Sequence, residues 1–232
     1  MTVDAPFLGS DAPLPALAAP APATPYRRLL TALVAIFGGG FIVNVVPATL
    51  LLTLHLSTIA GKGAASAFSV VAGLGGLCAI IANPLAGRIS DRTTARFGRR
   101  RTWIFTGGVT GCLVLMTMMF TTQVWQVALV WCCVQILMNF EFAAANASVA
   151  DQIPADRRGS ASGLVGMIGA IAPVIGLGAV SLATHSPALQ WIIVALAGMT
   201  GAIIGVLIMR DPKHVRPEDE APLSLRELAK AY

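Results

Sequence analysis

Long apolar segments separated by short polar connectors make up most of this chain. Several segments reach the roughly 20 residues that a helix needs to cross the hydrocarbon core of a bilayer. A segment in hydrocarbon must satisfy its backbone polar groups internally, so each one is predicted to be an α-helix. The pattern therefore predicts an all-α membrane protein with six transmembrane helices, at Leu29–Leu54, Ala64–Ala86, Thr102–Thr122, Val124–Ala150, Ala161–Ala183 and Leu189–Met209.

The two ends of the chain lack this pattern. Residues 1–25 are rich in alanine and proline and have no periodicity, which predicts a disordered cytoplasmic tail. After residue 210 the chain turns polar, and residues 223–232 carry leucines on one side and basic residues on another, which is typical of a surface amphipathic helix. The predicted organisation is a tail at 1–25, a six-helix bundle at 26–210 and the start of a cytoplasmic linker at 211–232.

The basic residues support the same number of spans. Positive charge next to a span is retained on the cytoplasmic side. Six spans place nearly every basic residue on that side, together with both termini, and leave only Lys62 on the opposite side. Because these charges are divided among short loops, they do not form the folded basic face that a nucleic-acid partner requires. The charge pattern thus indicates topology in a lipid bilayer, and we expect the cytoplasmic (plasma) membrane.

Residues that support metal or enzyme chemistry are scattered. The four cysteines fall within predicted spans, have no metal-ligand spacing and are assigned to packing: Cys78, Cys112, Cys132 and Cys133. Each histidine stands alone, and no nucleophile is paired with a base in the sequence. We therefore expect no metal, no cofactor and no enzymatic activity.

One acidic residue lies deep in a predicted span. Glu141 is the only ionisable group there, and a charge at such a position costs about 2.5 to 3.5 kcal/mol on insertion scales. It should therefore face protein or water, or be protonated, and it is the candidate for proton coupling. The alternative is a structural carboxyl group that is hydrogen-bonded to another span.

Amide side chains form a second set of candidates. Three of them share one face of the predicted fourth span, because steps of four and seven residues return nearly to the same angle: Gln135, Asn139 and Asn146. Glu141 points away from this face, so the two sets cannot line one narrow cavity. We assign the amide face to substrate binding, with Asn44 and Asn83 as weaker candidates, and place Glu141 at the edge or against a neighbouring helix.

The connector between the second and third predicted spans is the most informative segment. It reads GRISDRTTARFGRRR from Gly87 to Arg101, with a glycine near each end, six arginines and Asp91 as its single acid. Glycine favours turns, and arginines hold a loop on the cytoplasmic side. The segment is predicted to be a short basic loop between two membrane helices.

Residues of this connector resemble the loop signature between helices two and three of the major facilitator superfamily: Gly87, Asp91, Arg92, Gly98, Arg99 and Arg100. The longer form, continued through Ile104, looks most like the sugar-transporting branches, including glycoside-pentoside-hexuronide cation symporters. A second stretch, ADQIPADRRGSASGLVG at 150–166, contains Asp151 and Arg158 and is similar to the family's acidic Arg-Gly loop after helix four. The resemblance covers about 27–210.

The resemblance implies a mechanism. Family members have two six-helix bundles, each made of two inverted three-helix repeats, that rock about a central site. Asp91 is implied to pair with arginines and with a facing helix terminus of the second bundle, with Arg92 and Arg99 or Arg100 as local partners. Such a latch biases one state without touching the substrate. The alternative role of the arginines is topological, since they keep the loop inside.

Two features depart from the family pattern. Sodium-coupled sugar members carry acidic residues in the second helix, whereas Ala64–Ala86 has none, which favours protons. Only one bundle is present, so we expect the second from a longer form of the protein or from another chain; a tail that looks like the start of a connecting loop favours the longer form.

The sequence thus predicts half of a secondary active transporter that moves a small polar solute, such as a sugar, by alternating access. The alternative is a non-transporting membrane receptor or scaffold that retains the fold.

Overall fold

The computed structural model describes residues 24–211. This part of the chain is helical apart from short connections and contains no strand, which confirms the predicted all-α class. Its α-helices, in chain order, are α1 (Tyr26–Val46), α2 (Leu52–Ala60), α3 (Ala64–Asp91), α4 (Arg99–Met116), α5 (Val124–Gln152), α6 (Ala155–Ser181) and α7 (Pro187–Ile208). Most of the predicted tail and linker lie outside the described residues.

Five helical stretches within residues 24–211 are long and apolar enough to cross a membrane. The first of them, Tyr26–Asp91, is 66 residues long. A straight helix of that length would extend about 100 Å, whereas the hydrocarbon core is about 30 Å thick. Gly61 has a φ of 52°, and α2 packs against α3. The stretch therefore folds back on itself at Gly61, after α2.

Local sequence accounts for several helix boundaries. Pro47 lacks an N–H group, and α1 gives way there to a π-helical turn, Pro47–Leu51, which leads into α2. Before α5, the side chains of Gln123 and Gln126 exchange hydrogen bonds with each other's backbone in a capping box. Before α7, the Ser186 side chain accepts a hydrogen bond from the Leu189 N–H group. These signals hold α5 and α7 to their predicted starting regions.

The helices extend beyond the apolar segments at one end of the bundle. Helix α3 continues through Gly87 to Asp91 and α4 begins at Arg99, so the connector is only residues 92–98. The prediction that Gly87 opens this loop was wrong. A helix keeps its backbone hydrogen bonds whether its side chains are apolar or charged. The length of an apolar segment therefore indicates how much of the helix lies in the bilayer, and not where the helix begins or ends. For the same reason α6 begins at Ala155, ahead of the predicted start at Ala161.

The helices pack in a definite order. Helix α3 packs on α5, α5 on α4, α4 on α7, α7 on α1 and α1 on α6. Helices α3 and α6 stand at the two ends of this series and carry large exposed apolar side chains, including Leu77 and Ile80 on α3 and Val174 and Ile175 on α6. The side of the bundle between α3 and α6 is called the open side below.

The first and last described residues meet at the same end of the bundle. The Thr24 hydroxyl accepts a hydrogen bond from the Arg210 N–H group at 2.9 Å and donates one to the Arg210 carbonyl at 3.1 Å. The Thr24 N–H group donates to the Gln152 side chain at 3.3 Å. Thr24 and Asp211 therefore belong to the packed structure, just beyond the predicted bundle limits of 26 and 210. This end, where α3 and α5 finish and α4 and α6 begin, is called the basic end.

Glycine permits the closest approach of α1 and α7. A Cβ atom added at Gly39 would lie 2.9 Å from the Ala197 carbonyl oxygen and 3.1 Å from the Gly198 Cα atom, both of which are backbone atoms. A Cβ at the preceding Gly38 would meet only the Ile168 side chain, at an ordinary 3.6 Å. Two neighbouring glycines of one helix thus have different roles, and only Gly39 is required by packing.

We predict that Gly39→Ala destabilises the bundle by about 1–3 kcal/mol, the usual cost of overpacking, because α1 and α7 must separate. Gly38→Ala is the matched control and should change stability little. Unfolding of the purified protein in mixed detergent micelles measures both variants. Equal effects of the two substitutions would contradict the assigned contact.

Candidate functional site: a charged junction and a polar helix

A buried arginine joins three helices at the basic end. The Arg100 guanidinium, only 5% exposed, forms an ion pair with Asp91 at 2.7 Å and another with Asp151 at 3.0 Å. It also donates a hydrogen bond to the Ser90 hydroxyl at 3.1 Å. Arg99 pairs with the same Asp151 oxygen at 2.8 Å. This Arg100 junction (Ser90, Asp91, Arg99, Arg100 and Asp151) connects the ends of α3 and α5 to the start of α4.

The start of α4 is capped by a residue that is distant in sequence, at the end of the described chain. The Asp211 carboxylate accepts hydrogen bonds from the N–H groups of Arg100 at 2.5 Å and Arg101 at 3.1 Å. A carboxylate stabilises a helix N-terminus by pairing free N–H groups and by opposing the helix dipole. Gly98 precedes α4 with a φ of 102°, and a Cβ there would lie 2.6 Å from the Asp211 Oδ2 atom. Both the backbone conformation and the close carboxylate therefore require glycine at this position.

Other candidate latch residues take different positions. Arg158, on α6, donates to the carbonyls of Ile153 and Ala150, both at 2.9 Å, so it ties α6 to the end of α5. Arg92 follows α3 directly and is half-buried. Gly87 lies within α3, and a Cβ there would meet nothing within 4 Å. The structure thus brings Asp91, Arg99, Arg100 and Asp151 together and leaves Gly87 outside this group.

Three of the five substrate candidates, Gln135, Asn139 and Asn83, meet at the contact between α3 and α5. The Asn139 side chain accepts a hydrogen bond from Asn83 at 3.2 Å and donates one to the Gln135 carbonyl at 2.7 Å. Gln135 packs close to Gly75, where a Cβ would lie 3.3 Å from the Gln135 Cγ atom. The Gln135 Oε1 atom is buried and has no hydrogen-bond partner among the described residues. Gln135, Asn139 and Asn83 form a group that we call the amide row.

The other two amides lie apart from this row. The Asn44 side chain is half-buried on α1 and donates to the carbonyl of Gly40 in its own helix at 3.1 Å. Asn146 is exposed and lines a pocket of about 240 Å³ with Arg158 and Ser162 of α6. The structure therefore does not enclose the five candidates in one cavity. Gln135, Asn139 and Asn146 nevertheless lie on the side of α5 that is flanked by α3 and α6.

Glu141 occupies the opposite side of α5 and is fully buried. Its carboxyl group lies over Gly108 of α4, where a Cβ would be 3.0 Å from the Glu141 Oε1 atom and would also collide with Ala202 of α7. Neither carboxyl oxygen has a hydrogen-bond partner among the described residues. The hydrogen-bonded structural carboxyl considered as an alternative is thus not observed within residues 24–211, where an ionised Glu141 would be an unpaired buried charge.

A family comparison gives this arrangement its context. The family model described as Major Facilitator Superfamily matches residues 28–231. The chain belongs to the major facilitator superfamily. Members of this family are membrane transporters and are generally not enzymes, so the protein is an integral membrane transporter. No curated protein matches the chain significantly.

Two residues of the transporter's basic end, Ser90 and Asp211, were not predicted from its sequence. Ser90 is a polar residue next to Asp91, but its position in the sequence does not show which residue it contacts. Asp211 is the first acid after α7, yet its partners lie 110 and 111 residues earlier in the chain. Among residues 24–211 there is no group of three histidine, cysteine or acidic side chains arranged to hold a metal ion.

Proposed function

We propose that this transporter moves a small polar solute, such as a sugar, by alternating access coupled to protons. The amide row carries the proposal. A buried unpaired amide oxygen costs about 1–3 kcal/mol, and a hydroxyl group of a bound solute would satisfy the Gln135 Oε1 atom. Asn83 is exposed, so the row is reachable from the open side. Amides both donate and accept hydrogen bonds, which suits a hydroxyl-rich ligand.

We further propose that the chain crosses the bilayer six times, with the stretch Tyr26–Asp91 crossing twice. The turn at Gly61 supports two crossings, and the bonds between Thr24 and Arg210 support an even total. The basic end carries most of the basic residues, so we assign it to the cytoplasm, and Lys62 lies in the turn at the opposite end.

The packing order also supports two inverted three-helix repeats. One repeat would comprise the span α1–α2, α3 and α4, and the other α5, α6 and α7. In this pairing α1 corresponds to α5, α3 to α6 and α4 to α7. The contact of α1 with α7 then corresponds to the contact of α5 with α4, and the contact of α3 with α5 corresponds to that of α6 with α1. All four are major contacts, as expected for two related halves.

This topology is checked by cysteine labelling in intact cells, after the natural cysteines are replaced. We expect Lys62→Cys to react with an impermeant thiol reagent and Thr94→Cys, in the exposed connector, to react only after the cells are opened. Labelling of Thr94→Cys in sealed cells would refute the assigned orientation.

A second six-helix bundle is expected to cover the open side. Helices α3 and α6 flank that side, and a Cβ added at several of their glycines would meet nothing within 4 Å, including Gly73, Gly76, Gly163 and Gly166. Small residues allow helices to approach closely and to slide. The amide row would then face the partner bundle across a central cavity.

We propose that the Arg100 junction is the fixed half of a latch. The Arg100 side chain is bound by Asp151 and Ser90 as well as by Asp91. The Asp91 side chain is 56% exposed and contacts Arg100 through its Oδ1 atom. The exposed carboxylate is therefore available to a helix end of the second bundle. A contact made in one state only would shift the balance between inward-open and outward-open forms.

We predict that Asp91→Asn slows solute uptake about fivefold, the scale of a coupling energy of about 1 kcal/mol, while membrane insertion stays normal. Asp156→Asn, which removes an exposed acid near the same end, is the control and should transport normally. Uptake of a panel of radiolabelled mono- and disaccharides into proteoliposomes of the intact transporter measures both. Normal uptake by Asp91→Asn would exclude the latch, and absence of any uptake by folded wild type would favour the receptor or scaffold alternative.

Glu141 is proposed to carry the coupled proton. The carboxyl group is enclosed by α4, α5 and α7, and no basic side chain among the described residues pairs with it. Cys112 of α4 is the nearby titratable group that faces the same contact. Releasing the proton would leave a bare charge in an apolar contact, so release requires α4 or α7 to move away from α5 and admit water. Because α5 also carries Gln135 and Asn139 of the amide row, its movement would link proton binding to solute binding.

We expect Glu141→Gln to abolish proton uptake driven by solute and to make transport independent of pH, because the amide keeps the shape but cannot exchange a proton. Cys112→Ser is the control and should retain pH dependence. A pH-sensitive dye trapped in proteoliposomes reports proton movement alongside solute uptake. Unchanged pH dependence in Glu141→Gln would exclude this role.

A further inference from the structure

Two arginines that are distant in sequence line one pocket at the basic end. Arg28, in the first turn of α1, and Arg210, just after α7, border a pocket of about 470 Å³ together with Thr31, Leu207 and Ile208. Both arginines are exposed. The pocket lies on the α1–α7 side of the bundle, so it is separate from the Arg100 junction and from the amide row.

These two side chains form no ion pair with an acid in the described part of the chain, unlike Arg99, Arg100 and Arg157. The nearest acid in sequence, Asp211, is already engaged by the N–H groups at the start of α4. The Arg210 backbone is fixed by its bonds to Thr24 and Gln152. Within residues 24–211 the pocket therefore presents two cations with no carboxylate paired to them, one of them on a backbone that is held in place.

An apolar stripe on α7 leads from the membrane interior to this pocket. Leu196, Ile204 and Leu207 are 49%, 40% and 75% exposed and lie on one face of the helix. Such a face contacts lipid chains in a membrane protein. The stripe ends one turn before Arg210, so a molecule with apolar chains and an anionic head fits both parts at once.

We propose that this pocket binds the phosphate-containing head group of an anionic phospholipid, with the acyl chains lying along the α7 stripe. Arginine guanidinium groups bind phosphate oxygens through charge-assisted hydrogen bonds, and the Thr31 hydroxyl lies in the same pocket. Basic pockets between helices at a membrane surface attract anionic head groups. A bound lipid would hold the ends of α1 and α7 together.

The test is titration of the purified full chain with phosphatidylglycerol or phosphatidylcholine, with bound lipid counted by native mass spectrometry. We expect wild type to prefer phosphatidylglycerol. The Arg28→Gln and Arg210→Gln double variant should lose about thirtyfold in affinity for it, since each basic residue at an anionic surface contributes about fivefold. The matched control, Arg27→Gln with Arg96→Gln, removes two exposed arginines from the same end and should keep the preference.

Two results would overturn the proposal. An equal loss in the control would mean that diffuse surface charge, and not this pocket, selects the lipid. Displacement of phosphatidylglycerol by millimolar inorganic phosphate would mean that the pocket binds a free anion and that the α7 stripe contributes nothing. If the double variant does not fold, each single variant should lose about fivefold, and an unchanged affinity in both would refute the site.

Discussion

Close backbone contact is the constraint on which this bundle depends. Lipid chains are as apolar as leucine side chains, so helices in a membrane gain little from hiding apolar surface and must gain from van der Waals packing. The glycines of α1, α4 and α7 provide that packing. A Cβ at Gly39 or at Gly107 would meet backbone atoms of the neighbouring helix at 2.9 and 2.6 Å. The Gly107 contact places α4 against the buried side of α5.

Polar contacts join the helices where the bundle meets water. Arg100 links α4 to the ends of α3 and α5, Asp211 caps α4, and Thr24 joins the start of α1 to the ends of α5 and α7. All of these contacts lie at the basic end. A bundle held in this way can move as one body, while Asp91 keeps a carboxylate that is half exposed for a partner. The proposed lipid pocket adds a further tie between α1 and α7 at the same end.

Helix α5 connects the two polar features of the membrane interior. Gln135 and Asn139 of the amide row lie on the side of α5 next to α3, whereas Glu141 faces α4 and α7, so they lie on opposite sides of one helix. A solute that displaces α5 from one side would change the packing of Glu141 on the other. The coupling proposed here therefore needs no direct contact between the solute and the proton-carrying group.

The sequence by itself determined the helical membrane class and the approximate helix positions, because apolar length and turn residues act locally. Its resemblance to the major facilitator superfamily is borne out by the family match. It also placed Glu141 and the amides on different sides of α5, which follows from helical periodicity. Only the tertiary structure decided that Arg100 bridges Asp91 and Asp151, that Asp211 caps α4, and that Glu141 has no hydrogen-bond partner among the described residues. These facts depend on which helices become neighbours, and long-range packing sets that.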